Sequence, residues 1–185
     1  MLYVKSVAAD GYTVRGDEGK IELTCAEAAA TKEYTDVLTA SMFAATSTGY
    51  TDFTGVSYSG GSTAVYAGNS AKDTGAIQLR SKNSNSGIVT TTSGGKVKKI
   101  TIQFASKTAK NRVVDIYGNS NVYAEASDLY DTSTNTNQGK KIGSLTYNGT
   151  NATVELNVTE DYEYIGLRSN SGAIYITSIT IVWEK

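Results

Sequence analysis

The sequence predicts an all-β protein: an antiparallel β-sandwich with a short β-meander at its N-terminal end. Three observations predict it. Short runs that alternate apolar and polar side chains recur through most of the chain, with the two-residue period of a half-buried strand. Tyrosine is abundant, 13 residues against 3 phenylalanines, and threonine is plentiful; both suit a pleated, partly exposed surface. The chain has 18 glycines and no proline, so its turns fall to Gly, Asn, Asp and Ser.

The elements follow in order. Residues 2–8 alternate and stop at Ala9-Asp10-Gly11. Tyr12-Thr13-Val14-Arg15 and Lys20-Ile21-Glu22-Leu23-Thr24 come next, joined by Gly16-Asp17-Glu18-Gly19, which makes a three-strand meander. Residues 26–33 favour helix by propensity but are too short to stand alone. We read residues 1–34 as meander and linker, and residues 35–185 as the sandwich. Thr39 caps a helical turn that runs to Phe43. Strands are expected at 50–58, 63–67, 75–81, 87–92, 96–105, 112–118, 142–147, 152–158, 162–168 and 173–183. Ile100, Ile102 and Phe104 share an inward face, and so do Val154, Leu156 and Val158. Ile179, Ile181 and Trp183 share another; Ile174 and Ile176 join it only if Thr177-Ser178 forms a bulge. Residues 123–131 suit a short helix and 132–140 a loop.

Charge and composition exclude several functions. Seventeen basic residues oppose 18 acidic ones, for a net charge of −1, so there is no basic face for nucleic acid. Lys96, Lys98 and Lys99 form a small cluster that reads as protection of an edge strand. No apolar run approaches the ~18 residues of a membrane span. The single cysteine, Cys25, excludes an intramolecular disulfide and reads as a small buried strand residue. Met1-Leu2-Tyr3-Val4-Lys5 lacks the apolar stretch of a signal peptide, so either the protein is not exported as written or the chain is a mature or trimmed piece.

The chain has no histidine, which removes Ser–His and Cys–His relays and histidine metal sites. Paired carboxylates are the remaining catalytic option, with candidates Asp52, Asp73, Asp115, Glu125, Asp128, Asp131, Glu155, Asp161 and Glu163. Most of these fall in turns or on solvent-facing strand positions. Asp128 and Asp131, with Asn135 and Asn137, offer oxygens suited to calcium, but without the spacing of an EF-hand. No other cofactor is implied. Three Asn-x-Thr sequons, at Asn148, Asn151 and Asn157, matter only in a eukaryotic secretory route.

Two near-identical stretches carry the best binding signal. Leu79-Arg80-Ser81 leads through Lys82-Asn83-Ser84-Asn85 to Ser86-Gly87, and Leu167-Arg168-Ser169 leads to Asn170-Ser171-Gly172. Each places an arginine at the end of an apolar strand, ahead of an amide-rich turn. Arginine offers five donors in a planar fork, suited to vicinal hydroxyls or a carboxylate. Asn83, Asn85 and Asn170 add donors and acceptors, and Tyr66 or Tyr175 could supply a face for a sugar ring. In the competing reading the arginines pair with strand carboxylates such as Asp115 or Glu155, and the Asn/Ser/Gly tracts are simply turns.

These segments, with Gly94–Ile102, Val114–Gly118 and Ile165–Ile181, resemble a β-sandwich module found at the C-terminal ends of secreted and surface proteins of gut Bacteroidetes and related anaerobes. The resemblance covers residues 36–185. It implies a jelly-roll or galactose-binding-like sandwich used as a non-catalytic accessory domain for carbohydrate, and it brings no ligand residues with it. Val7–Val14 and Gly19–Leu23 resemble, more weakly, the last strands of an OB-like barrel that precedes such modules. The expected function is a secreted or cell-surface binding module whose partner is a glycan or surface polymer. The alternatives are an assembly subunit (fibre, decoration or adhesion protein) that associates with itself or with neighbouring domains, and a carboxylate-based glycoside hydrolase.

Overall fold

The computed structural model describes residues 30–43, 49–130 and 136–185. The expected N-terminal meander with Cys25, its OB-like resemblance, residues 26–29 of the 26–33 stretch, and Asp131 and Asn135 lie outside the described residues. The described chain is all-β. Its strands are β1 (Glu33–Leu38), β2 (Thr51–Val56), β3 (Val65–Asp73), β4 (Ala76–Arg80), β5 (Gly87–Thr92), β6 (Lys96–Phe104), β7 (Arg112–Asn119), β8 (Lys140–Tyr147), β9 (Thr153–Asn157), β10 (Tyr164–Ser169) and β11 (Ala173–Glu184). The expected helical segments are single 3-10 turns, Ala40–Phe43 and Ala126–Leu129.

The described strands pair antiparallel along one path, β8-β7-β10-β5-β3-β4-β11-β6-β9, with β1 added to β11 and β2 to β3. The two ends of the path meet where the Leu156 side chain of β9 covers Gly143 of β8. The sheet is thus curled into a nearly closed barrel, which removes most of its edges. Strand β3 makes the curl possible. Its first residues pair with β5, and Ala71, Lys72 and Asp73 pair with β4. It runs six residues past the expected end at 67, and Thr74-Gly75 then turns the chain with positive φ at both positions (50° and 82°), the geometry of a two-residue hairpin.

One core fills the barrel. Ile77, Leu79, Ile88, Ile100, Ile102, Ile116, Leu167, Ile174, Ile176, Ile181 and Trp183 are all fully buried, each contributing about 2 kcal/mol by its removal from water. Alternation along β4, β6 and β11 puts these residues inward. In β11 the register against β6 shifts between Ile176 and Ser178. The bulge restores parity, so Ile174 and Ile176 join Ile179, Ile181 and Trp183 in the core as expected.

Two features depart from expectation. Residues 33–38 form a strand paired with β11 that the sequence did not predict, because Asp36 at a core-facing position breaks the apolar pattern that would have marked it. Its carboxylate is fully buried and accepts hydrogen bonds from the Ser62 backbone N–H and Oγ (both 2.6 Å), Tyr66 Oη (2.6 Å) and Trp183 Nε1 (3.0 Å). Strand β6 is not an edge, since it lies between β11 and β9. Its lysines are ion-paired instead of guarding a free edge: Lys96 to Asp161 (2.8 Å), Lys98 to Glu184 (3.5 Å) and Lys99 to Glu155 (3.7 Å).

Candidate functional site

The twin stretches are two strand–turn–strand units that pair reciprocally. The first unit is β4-turn-β5 and the second β10-turn-β11. Strand β4 pairs with β11, matching Leu79 with Ile174 and Arg80 with Ala173. Strand β10 pairs with β5, matching Leu167 with Ile88. Their turns touch as well. The Ser81 N–H donates to the Gly172 carbonyl (3.1 Å), and the Gly172 N–H donates to Ser81 Oγ (2.7 Å). The repeated residues therefore have repeated jobs. Both leucines fill the core, both arginines point outward, and the equivalent serines both bond Gly172: Ser169 Oγ donates to its carbonyl, and Ser81 Oγ accepts from its N–H. Gly172 has φ +72°, a conformation that favours glycine, and the Arg112 guanidinium lies where a Cβ would project.

Neither twin arginine pairs with a carboxylate among the described residues. The Arg80 guanidinium sits 5.3 Å from the centre of the Tyr50 ring. That of Arg168 sits 4.7 Å from Tyr130 and 5.3 Å from Tyr117, whose hydroxyl accepts from Arg168 Nε at 3.1 Å. The acids offered as partners are taken by others. Asp115, in register with Arg168, binds Lys141 (2.7 Å), Ser144 Oγ (2.7 Å) and Asn170 Nδ2 (2.7 Å). Glu155 binds Lys99 and Thr101.

A chain of contacts joins the two arginines into one ledge: Arg168 lies over the Tyr130 ring, the Tyr130 hydroxyl donates to the Ser86 carbonyl, and Ser86 Oγ accepts from the Arg80 N–H. Charge on Tyr50 raises the pKa of Tyr130, and charge on Tyr175 raises that of Tyr50. Burial pushes the Tyr50 hydroxyl up to about 12, against the pull of the Arg80 charge. Burial likewise pushes Tyr130 up to about 12, against the pull of Arg168. Arg80 is exposed, while Tyr50, Tyr130, Arg168 and Tyr175 are half-buried. Lys107 stands 4.4 Å over the Tyr175 ring, and Gln78 Nε2 donates to its hydroxyl (3.2 Å). Tyr130 is fixed by its hydroxyl, which donates to the Ser86 carbonyl in the first twin turn (2.7 Å). Beneath it Leu129 packs on Gly87 and Gly166, closing a second apolar cluster with Ala67, Val89, Tyr117 and Tyr123 on the outside of the barrel.

The sequence-predicted residues divide accordingly. Arg80, Arg168 and Tyr175 stand on the ledge. Asn83 shapes the first turn through its backbone, its N–H donating to the Arg80 carbonyl and its carbonyl accepting from Ser86. Asn85 is exposed at the tip of that turn, and Asn170 holds Asp115. Tyr66 is corrected: it is fully buried against Asp36, which together with burial raises its pKa, and no face of its ring is open. Asp128 Oδ2 accepts from the Ala124 N–H (2.7 Å) and Asn137 Nδ2 (3.2 Å), which fixes the turn before Leu129. Among the described residues no cluster of three or more acidic, cysteine or histidine side chains stands ready for a metal. Tyr50, Tyr117 and Tyr130 were missed. Tyr117 sits diagonal to Arg168 across the β7–β10 register, so only the strand pairing reveals it.

No protein-family profile matches the chain. No curated protein matches it. A solved structure with which it aligns is described as a low-affinity xylan-binding module, CBM86, from the gut symbiont Roseburia intestinalis. That alignment has 11% identity over 80% of this chain and 93% of that one, with a TM-score of 0.32, a likeness too slight to argue from.

Proposed function

We propose that this barrel is a jelly-roll variant serving as a non-catalytic glycan-binding module of a secreted or cell-surface protein. The observation that carries the reading is the ledge: two arginines from equivalent turns, without a carboxylate partner among the described residues, lying over tyrosine rings. A guanidinium over an aromatic ring gains about 0.5–2 kcal/mol from the contact, and with Arg168 Nε spent on the Tyr117 hydroxyl its terminal nitrogens remain as donors for a ligand. Such donors bind vicinal hydroxyls, and half-buried tyrosine faces accept the apolar side of a sugar ring.

A hydrolytic reading has less support. The carboxyls of Asp73, Glu160 and Asp161 are held below their usual range by hydrogen bonds from Lys107, Lys140 and Lys96. A general acid needs the opposite shift. The test is a polysaccharide and glycan-array binding screen with Arg80→Ala, Arg168→Ala and Tyr130→Ala as controls. Binding by the wild type that each substitution weakens supports the ledge. Binding that all three leave unchanged removes it, and a stable oligomer that binds no glycan favours the assembly-subunit alternative.

A further inference from the structure

We infer that the polymer bound at this ledge is acidic, recognised through its uronate carboxylates; the inference rests on the glycan-binding reading above. Each of the six ion pairs among the described residues uses a lysine: Lys96, Lys98, Lys99, Lys107, Lys140 and Lys141. The three described arginines, Arg80, Arg112 and Arg168, make none. This division of labour does not follow from exposure, because Arg168 and Arg112 are half-buried while Lys96 and Lys140 are among the most open side chains. Arginine is the cation better suited to partly buried pairing, so leaving all three without an acid is unexpected in a self-sufficient fold.

The three arginines also gather around the twin turns. Arg80 precedes Ser81, which exchanges two hydrogen bonds with Gly172. The Arg112 guanidinium lies on Gly172, and its buried Nε has no hydrogen-bond partner among the described residues. Arg168 leads into the Asn170-Ser171-Gly172 turn. The nearest acid by register, Asp115, is occupied by Lys141. Among the described residues the ledge thus presents arginines with no carboxylate paired to them, on a protein whose net charge is −1. The planar fork of arginine matches a carboxylate bidentately, which a neutral hydroxyl pair matches less strongly.

A matched pair of polymers tests this: polygalacturonate, and the same backbone with its carboxyls fully methyl-esterified. Affinity electrophoresis or calorimetry is expected to show binding to the charged polymer about tenfold or more tighter. Affinity should drop severalfold between about 50 mM and about 500 mM NaCl. Arg80→Gln and Arg168→Gln are each expected to remove most of that preference while leaving the melting temperature close to wild type. Equal binding to both polymers, or binding only to neutral glycans, overturns the acidic assignment and leaves the glycan-binding reading standing. Binding to a sulfated polysaccharide but not to polygalacturonate overturns the carboxylate assignment. Failure to bind any polysaccharide brings down both.

Discussion

The indole Nε1 of Trp183 donates to Oδ2 of Asp36 at 3.0 Å, with both residues fully buried. Tyr66 Oη donates to the same oxygen and lies 3.3 Å from the indole nitrogen. Three strands, β1, β3 and β11, and the Ser62 loop thereby converge on one carboxylate. Asp36→Ala leaves the buried donors of Ser62, Tyr66 and Trp183 without an acceptor, and we expect it to cost about 3–5 kcal/mol in urea unfolding. Tyr66→Phe should cost about 1–2 kcal/mol. A loss below about 1 kcal/mol for Asp36→Ala would show that the carboxylate is not the anchor.

Gly68 tests how closely the walls approach. A Cβ there would strike the Gly87 carbonyl and the Phe53 ring, and a backbone oxygen in a paired strand has little freedom to move. Gly68→Ala should lower stability by about 3 kcal/mol, read as a shift in the denaturation midpoint at unchanged slope.

The β11 bulge can be probed by deletion. Removing Thr177 turns Ile174 and Ile176 out of the core, because one residue reverses the face of a strand. The deletion variant is expected to lose more than about 4 kcal/mol or fail to fold, whereas Thr177→Ala, at an exposed position, should stay within about 0.5 kcal/mol of wild type. Equal stability of the two variants would mean that the register is not set there.

Alkaline pH should act through the tyrosines. Tyr50 and Tyr130 are raised by burial from 10.0 to about 12, and burial raises Tyr66 and Tyr123 further. The unfolded chain loses these protons first, so their contribution is complete below pH 10 and declines as pH rises toward about 12. Absorbance titration near 295 nm should show a group of tyrosines that ionises only with unfolding. A single transition near 10 that included all of them would contradict their burial.

Most strands were readable from alternation, because residues such as Ile100, Ile102 and Phe104 each face a single core. Strand β1 was not, because its inward Asp36 looks like a surface residue until three distant donors are brought to it. Tyr66 was misread for the complementary reason: threonine and tyrosine mark half-exposed sheet, and nothing local says that this hydroxyl has a buried acceptor. The twin arginines were legible as a repeat. Their tyrosine partners were not, since Tyr50 and Tyr130 lie outside the regular strands and only the curl of the sheet brings them together.

Strand β11 lies at the middle of its wall, paired with β1 and β4 on one side and β6 on the other. Three earlier strands therefore wait for a segment made after all of them. A nascent chain cannot close this barrel until β11 itself has been made, so the last strand synthesised is the one that joins the wall.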